Sequence, residues 1–166
     1  MCIRDSSWAD AEWFTKKTDT PNAIDAVVFR VEGEVNTDDL SPAQEAWSRA
    51  DIPLHAKSML QNKMPEALSI ISKLKEKKLP LVFVGDIVGT GSSRKSAINS
   101  LQWHMGNPVN FIPNKNSGGM VLGNKIAPIF FNTAEDSGAL PIECDVSQLV
   151  MGDQIRIDLQ LSLIHI

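Results

Sequence analysis

The 166-residue chain is 43% hydrophobic and 22% charged, which suits one globular domain with a sizeable core. Its net charge of −4 excludes the strongly basic surface on which non-specific nucleic-acid binding depends. Two cysteines, Cys2 and Cys144, and three scattered histidines form no spacing typical of a metal site. So small a number of cysteines favours a protein of the reducing cytoplasm. No apolar run approaches the roughly 18 residues that a membrane span needs.

Both ends of the chain differ from the rest. Residues 1–6 and 161–166 resemble translated sequencing adapters, so we expect them to lie outside the protein's own sequence. On this interpretation the chain is a fragment, and Cys2 and His165 have no part in its chemistry. The alternative is that these are genuine termini.

The first predicted element is a helix over residues 7–17. Its apolar residues share one face, and its charge runs from acidic to basic in the direction that suits the helix dipole. A polar stretch with Pro21 follows and indicates a linker. Apolar and polar side chains then alternate over residues 27–32, which predicts a β-strand.

Two loops with charged side chains come next. Residues 36–42 carry Asp38, a residue type that often stabilises turns, so this aspartate has an ordinary structural explanation. Arg49, in the second loop, can bind a carboxylate through two parallel hydrogen bonds or stay solvated at the surface. His55 lies near the start of a short helix predicted over residues 54–60. We favour a structural role for it, because no catalytic partner lies at a suitable spacing.

An amphipathic helix is predicted over residues 65–78, with a proline in its first turn. Basic residues crowd its end: Lys73, Lys75, Lys77 and Lys78. We expect these lysines to form a solvated face that the helix dipole stabilises. Contact with RNA is an alternative that no interleaved aromatic residue supports.

The most informative stretch is Gly85–Ser96, which follows an apolar run over residues 81–84 and precedes a helical pattern over residues 93–105. This order predicts a strand, a glycine-rich loop and a helix. The glycines allow the backbone to turn tightly and leave its N–H groups accessible.

The local chemistry of this loop predicts an anion site. Ser92 or Ser93 is expected to cap the helix, whose first N–H groups attract negative charge, and Arg94 adds a guanidinium. Neither nucleotide-binding motif is complete, because Gly91 is followed by Ser-Ser-Arg and Arg94 replaces the third glycine of a dinucleotide fingerprint. A well-capped helix with a surface arginine is the alternative explanation.

The remaining elements are predicted from the alternation of apolar and polar side chains and from the positions of glycine, proline and capping residues. These are strands over 109–112, 140–144 and 155–159, a turn over 114–119, a helix over 134–138 capped by Thr133 and ended by Gly138, and a segment of undecided structure over 121–129. Cys144 is expected to be an inert core thiol. Strands and helices alternate without a strict rhythm, which favours an α/β domain with a mixed sheet.

Several motifs resemble the swivel domain of bacterial B-type aconitases and occur in the same order. They are Asn36-Thr-Asp-Asp-Leu-Ser-Pro42, Ala46-Trp-Ser-Arg-Ala-Asp-Ile-Pro-Leu-His55, Gly89-Thr-Gly-Ser-Ser-Arg-Lys-Ser96 and Gly123-Asn-Lys-Ile-Ala-Pro-Ile-Phe-Phe-Asn-Thr133. The lysine at position 95 is similar to the B-type branch of the family, since other branches usually carry an acidic residue at this position. The resemblance covers roughly residues 7–160, and it implies a swivelling β/β/α domain over residues 24–160. Residues 7–23 would then end a preceding helical-repeat domain.

The resemblance also implies an activity for the longer parent protein. Such an enzyme interconverts citrate and isocitrate through cis-aconitate, with 2-methylisocitrate as a possible further substrate. By this resemblance Ser92 is the base and binds the substrate together with its neighbour Ser93. Arg94 and Arg49 bind substrate carboxylates, and Asp38 supports the active site. A [4Fe–4S] cluster acts as the Lewis acid on domains that this chain lacks, so the chain alone is expected to be inactive.

Two other functions remain open at this point. A complete small subunit of an isopropylmalate-isomerase-like dehydratase would have a similar length, although Trp47–Pro53 and the leading helix argue against it. A regulatory module that binds RNA or drives dimerisation is the third possibility, and the acidic composition makes RNA binding by this chain alone unexpected.

Overall fold

The computed structural model describes residues 21–161 and 163–165. The strands are β1 (Ala23–Asn36), β2 (Leu81–Thr90), β3 (Asn107–Pro108), β4 (Asn116–Ser117), β5 (Met120–Ile126), β6 (Leu140–Glu143), β7 (Gln154–Asp158) and β8 (Leu163–His165). The α-helices are α1 (Thr37–Leu40), α2 (Ile52–His55), α3 (Ala67–Lys75), α4 (Arg94–Met105) and α5 (Pro128–Asp136), with 3-10 turns at Ala43–Ser48 and Ala56–Ser58. The helix predicted over residues 7–17 lies outside the described residues.

Six strands form one mixed sheet in the order β6-β5-β2-β1-β7-β8. The four strands β1, β2, β5 and β6 are parallel to their neighbours within this group. β7 is antiparallel to β1, and β8 is antiparallel to β7. The predicted α/β fold with a mixed sheet is therefore confirmed.

Apolar side chains cover both faces of this sheet. On one face Phe29 and Phe83 contact each other, with ring centroids 6.0 Å apart, in a cluster that includes residues of α3, α4 and α5. On the other face Val28 and Val84 pack in a second cluster with Leu149, which precedes β7. Burial on both faces explains why the central parallel strands contain nearly continuous apolar runs.

The carboxyl ends of β1 and β2 lie side by side. Asn36, the last residue of β1, pairs with Thr90, the last residue of β2. The segments that follow are therefore neighbours in space, although more than fifty residues separate them in the sequence. Ligands commonly bind at this edge of a parallel sheet, because the loops that leave it converge there.

An irregular pairing between β1 and β2 is held by one aspartate. The register shifts between Val31 and Glu34, where Gly33 adopts a positive φ of 74°. Asp86 Oδ2 accepts a hydrogen bond from Gly33 N at 2.6 Å, and Asp86 Oδ1 pairs with Arg30 Nη2 at 2.7 Å. The carboxylate thus fixes the bulge to the neighbouring strand.

The first half of the predicted glycine loop is strand instead. β2 continues through Gly85 and Gly89 to Thr90, because it pairs with β1 on one side and β5 on the other. Gly89 has a φ of 85°, and a Cβ there would overlap the ring of Phe130. The turn itself is therefore confined to residues 91–93.

Two predictions for the second half of the chain are wrong. Residues 109–112 form a turn, in which Phe111 has a φ of 64°, and the nearby strand β3 covers only Asn107–Pro108. The helix predicted over residues 134–138 begins earlier, at Pro128, so that Thr133 lies inside it and donates to Ile129 O. Gly138 follows this helix with a φ of 79°, as predicted for a helix end.

The last described strand falls in the segment that resembles adapter sequence. β8 pairs with β7 through Arg156↔His165, Ile157↔Ile164 and Asp158↔Leu163. Ile164 packs against the second cluster. The assignment of residues 161–166 to an adapter stays a prediction.

Candidate active site

An open cavity of about 330 Å³ lies at the carboxyl ends of β1 and β2. It is lined by Asn36, Thr37 and Asp38 on one side and by Thr90, Gly91, Ser92 and Ser93 on the other. The structure thus brings together three of the predicted site residues, Asp38, Ser92 and Ser93. Ser92 and Asp38 are exposed, so their polar groups face the cavity and solvent.

A capping box shapes the first side of the cavity. Asn36 Oδ1 accepts from the N–H groups of Asp38 and Asp39 at 2.9 and 2.8 Å, and Asp39 Oδ2 accepts from Asn36 N at 2.9 Å. These bonds start the one-turn helix α1 where β1 ends. Asp38 itself is left at the cavity without a cap bond from its own carboxylate, which leaves that group available to a ligand.

Thr37 and Gly91 join the two sides of the cavity. Thr37 is buried, and its Oγ1 accepts a hydrogen bond from Ser93 N at 3.2 Å. Gly91 has a φ of 107°, and a Cβ at this position would overlap Thr37 Oγ1. Only glycine therefore allows the serine-bearing loop to approach α1 so closely.

Arg49 reaches the same loop from the 3-10 turn at Ala43–Ser48. Its Nη2 donates to Ser93 Oγ at 3.0 Å and to Ser41 O at 3.2 Å, and its Nε donates to Ser41 Oγ at 3.2 Å. Among the described residues no group accepts a hydrogen bond from Nη1. The guanidinium is thus held in place by three bonds, with one amino group available to a carboxylate.

The expected serine cap of α4 does not form. Ser93 occupies the N-cap position, but its side chain makes no capping hydrogen bond, because its hydroxyl accepts from Arg49 instead. The first turn of this helix of 12 residues therefore keeps N–H groups that no side chain caps. Such a helix start, with its positive dipole end, favours an anion.

Arg94 is the first residue of α4 and lies beside the loop. Its Nη1 donates to Gly91 O at 2.9 Å, so that its guanidinium folds back over the turn that carries Ser92. Two guanidinium groups, those of Arg49 and Arg94, therefore each contact the loop of residues 91–93. This places a guanidinium at each of the two residues that flank Ser92, Gly91 and Ser93.

The described residues do not fit an iron–sulfur cluster. Such a cluster needs about four thiolates or equivalent ligands. Within residues 21–161 and 163–165 the single cysteine is Cys144, and no three His, Cys, Asp or Glu residues form a metal-binding group. Burial raises the pKa of the Cys144 thiol, with the nearby charge of Asp145 adding to the effect, so the unreactive protonated form is favoured.

Sequence reasoning missed the residues that hold the site together. Thr37, Ser41 and Ser96 lie within the quoted motifs but were assigned no role, and the bonds Ser93 N to Thr37 Oγ1 and Ser41 Oγ to Ser96 Oγ join segments distant in the sequence. The repeated serine and threonine hydroxyls within two short motifs were the available signal. His55, for which a structural role was favoured, is buried and bonded to Ser41 Oγ at 2.8 Å.

The fold has a counterpart among solved structures. It is similar to the crystal structure of 3-isopropylmalate dehydratase from Methanocaldococcus jannaschii, with a TM-score of 0.62 over 86% of this chain and 74% of that chain. The sequence identity is 22%, so this likeness defines the fold alone. The chain therefore shares the mixed α/β fold of that dehydratase.

The sequence comparison is more specific. The model of the family described as aconitate hydratase 2 N-terminus matches residues 26–165, and the chain belongs to this family. Curated relatives named aconitate hydratase B are 63% identical in Synechocystis sp., 58% in Helicobacter pylori and 55% in Escherichia coli, each over 91% of this chain. The chain spans only 17%, 18% and 19% of the length of these relatives, respectively.

No helix of the described residues is long and apolar enough to cross a membrane.

Proposed function

We propose that this chain is the swivel domain of a longer aconitate hydratase B, which interconverts citrate and isocitrate through cis-aconitate. The observation that carries the proposal is the meeting of Ser92, Ser93 and Asp38 at one cavity, with the guanidinium of Arg49 bonded to Ser93 Oγ. The relatives' name and the family match supply the reaction class. We extend the proposed substrates to 2-methylisocitrate, which carries the same arrangement of hydroxyl and carboxylate groups.

In the proposed reaction Ser92 takes the proton from the carbon next to a substrate carboxylate. The electron pair of that C–H bond forms the double bond of cis-aconitate, and the hydroxyl group leaves the adjacent carbon with the electron pair of the C–O bond. Together with the proton taken up by Ser92, the departing hydroxyl accounts for one molecule of water. A serine hydroxyl is a weak nucleophile and base until it is activated. Arg94, Arg49 and the uncapped start of α4 supply positive charge that stabilises the alkoxide form of Ser92.

The carboxylates of the substrate need cationic partners, and two are close at hand. We assign carboxylate binding to Arg49 and Arg94, together with the hydroxyl groups of Ser92 and Ser93. Each charged hydrogen bond of this kind contributes about 1.5–3 kcal/mol. Asp38 lines the opposite side of the cavity, and we propose that it accepts a hydrogen bond from a substrate hydroxyl or from an active-site donor.

The remaining parts of the active site belong to the rest of the enzyme. We propose that the [4Fe–4S] cluster of the parent has its ligands outside this chain, and that the chain alone is inactive. The described residues contain one cysteine, which supports this division. We likewise propose residues 24–160 as the swivel domain, residues 7–23 as the end of a preceding helical domain, and the cytoplasm as the location of the parent.

The alternatives have less support. The likeness to 3-isopropylmalate dehydratase is one of fold at 22% identity, whereas relatives named aconitate hydratase B reach 63%. For RNA binding, the lysines in and just after α3 are the natural candidates, but Lys77 Nζ donates to Gly152 O at 2.7 Å. This bond leaves the Lys77 ammonium less free to bind a phosphate, and the net charge of the chain is −4.

The proposal is tested by Ser92→Ala in a full-length aconitate hydratase B that contains this sequence. Loss of a catalytic base should lower kcat by about 10²–10⁴-fold, whereas loss of one hydroxyl contact to the substrate should change the citrate KM far less. Ser72→Ala is the matched control, because Ser72 is an exposed serine on α3 that bonds only to Leu68 O. Iron and sulfide content is measured for each variant, so that a lost cluster is not mistaken for a lost base. A Ser92→Ala enzyme with a full cluster and near-normal kcat contradicts the proposal.

A further inference from the structure

A buried histidine lies behind the proposed carboxylate site. His55 is 2% exposed, and both of its ring nitrogens are within hydrogen-bond distance of serine hydroxyls. Nε2 lies 2.8 Å from Ser41 Oγ, and Nδ1 lies 2.8 Å from Ser48 Oγ. Ser41 and Ser48 are themselves buried, at 0% and 4% exposure, so the three side chains form one internal polar cluster.

Ser41 connects this cluster to the site. Its hydroxyl accepts from Arg49 Nε at 3.2 Å and donates to Ser96 Oγ at 2.8 Å. Ser96 in turn donates to Ser93 O at 3.1 Å. One path therefore runs from His55 to the Arg49 guanidinium, and another runs from His55 to the backbone of the loop that carries Ser92.

The hydrogen bonds that the Ser41 hydroxyl can make indicate whether Nε2 of His55 carries a proton. Arginine can only donate, so Ser41 Oγ accepts from Arg49 and has one further lone pair and one proton to use. If His55 donates from Nε2 and Ser41 donates to Ser96, the hydroxyl makes all three of its bonds. At the other edge Nδ1 lies 2.8 Å from Ser48 Oγ and 3.1 Å from Glu45 O, and Ser48 Oγ itself donates to Glu45 O at 2.8 Å, so this edge of the ring is anchored as well.

The surroundings favour this neutral ring. Burial lowers the pKa of His55, and the positive charge of Arg49 lowers it further, whereas the carbonyl and carboxylate of Glu45 act in the opposite direction. A neutral ring has one donor and one acceptor nitrogen, so it can still donate from Nε2 to Ser41 Oγ.

We propose that His55 is a positioning residue for substrate binding: through Ser41 it fixes the orientation of the Arg49 guanidinium and the position of the Ser93 end of the loop. The inference rests on the proposed role of Arg49 as a carboxylate ligand. A buried ring held at both edges loses little freedom when the substrate arrives, so Arg49 is already oriented before binding.

Two substitutions test the contributions of the two ring nitrogens of His55 separately. The terminal amide of His55→Gln reaches about as far as Nε2 and can keep the bond to Ser41, whereas the shorter His55→Asn reaches only the position of Nδ1. We expect His55→Asn to raise the citrate KM about tenfold, as loss of a well-oriented charged hydrogen bond does, and His55→Gln to stay within about threefold. A purely structural role would give both variants the same effect.

A double-mutant cycle with Arg49→Ala tests whether the effect passes through Arg49. The measurements are made on the full-length, cluster-loaded enzyme that contains this sequence, with the melting temperature and iron content of each variant. If His55 acts through Arg49, His55→Asn changes the citrate KM less than about twofold in the Arg49→Ala background. Equal effects in both backgrounds overturn the proposal.

His104→Asn is the matched control. This histidine is also largely buried and bonds to Ala56 O at 2.8 Å, but it contacts neither Ser41 nor Arg49. It should lower stability without changing the citrate KM in either background. The same KM increase in His104→Asn and His55→Asn contradicts the proposal, because general loosening would then explain both.

Two further outcomes, an unfolded His55→Asn variant and an Arg49→Ala variant without effect, each lead to a decision. If His55→Asn does not fold, Ser48→Ala replaces it in the cycle, with an expected KM increase of about threefold that disappears in the Arg49→Ala background. An unchanged KM in Ser48→Ala, or an increase that persists without Arg49, overturns the proposal. If Arg49→Ala alone leaves the citrate KM unchanged, the proposed function fails at Arg49 and the inference fails with it, whereas an effective Arg49→Ala without coupling refutes the inference alone.

Discussion

Gly91 shows how a single residue determines the shape of the site. Its φ of 107° is a conformation that residues with a Cβ rarely adopt, and a Cβ would overlap Thr37 Oγ1. Gly33 is the matched control, because its φ is 74° but a Cβ there would meet nothing within 4 Å. The two glycines thus differ in steric contact, and the φ of Gly91 also lies farther from the left-handed region near +57° than that of Gly33 does.

We expect Gly33→Ala to cost about 1–2 kcal/mol of unfolding free energy from the backbone alone, and Gly91→Ala to cost about 1–3 kcal/mol more because of the overlap. Urea unfolding of the 166-residue chain measures both values. Thr37→Ala removes the overlapping atom, so the cost of Gly91→Ala should fall toward that of Gly33→Ala in this background. An equal cost for both glycine substitutions shows that the close approach does not constrain the loop.

The residues of the site differ in how far the sequence could predict them. Ser92 and Arg94 follow from one local pattern, because a glycine turn, a helix start and a guanidinium are adjacent in the chain. The contact of Arg49 with Ser93 depends on the pairing of β1 with β2, which no local pattern encodes. The contacts of His55 are even harder to predict, since Ser41 and Ser48 come within hydrogen-bond distance of it only when the turn at Ala43–Ser48 packs against it.

At the scale of elements, tertiary pairing overrode local preference. Gly85 and Gly89 indicate a loop by propensity, yet both lie within β2, where neighbours on either side supply hydrogen bonds. Residues 109–112 show the opposite error, because Val109, Phe111 and Ile112 suit a strand but have no sheet edge to join. Phe111 and Ile112 are 57% and 51% exposed, which confirms that no partner element covers them within the described chain.

The bulge in β1 leads to a prediction about an ion pair. Asp86 satisfies Arg30 and the N–H of Gly33, and the side chains of Arg30 and Asp86 are 13% and 32% exposed. Asp86→Ala leaves Arg30 Nη2 and a strand N–H without their acceptor, while Arg30 Nη1 keeps its bond to Val146 O, so we expect a loss of about 2–3 kcal/mol in urea unfolding.

The pair between Arg156 and Asp25 is the control for this prediction. It spans 3.3 Å, and its side chains are 59% and 56% exposed. Solvent screens such a pair, so Asp25→Ala should change the unfolding free energy by less than about 0.5 kcal/mol. If Asp86→Ala costs no more than Asp25→Ala, the carboxylate of Asp86 does not hold the bulge.

The arrangement of the whole molecule separates stability from the site. The two apolar clusters lie on the faces of the sheet, whereas the cavity lies at its edge, where four parallel strands end. A domain built in this way can present its serine loop to a partner domain without exposing its core. This division also explains why the fold class followed from the alternation of strands and helices, while the site depended on the order in which the strands pair.

Two histidines connect the stability of the whole chain to pH. Burial lowers the pKa of both His55 and His104 below the ordinary value of 6.5. Above about pH 6.5 the rings are neutral in both the folded and unfolded states, but below it the unfolded chain binds protons that the folded chain resists. The unfolding free energy should therefore decrease from pH 7.5 to pH 5.5, by at most about 1.4 kcal/mol per pH unit for each histidine. Urea unfolding at several pH values measures this slope, and the double variant with His55→Gln and His104→Gln should flatten it. If the slope is absent, or if it persists in the double variant, neither buried histidine controls the loss of stability in acid.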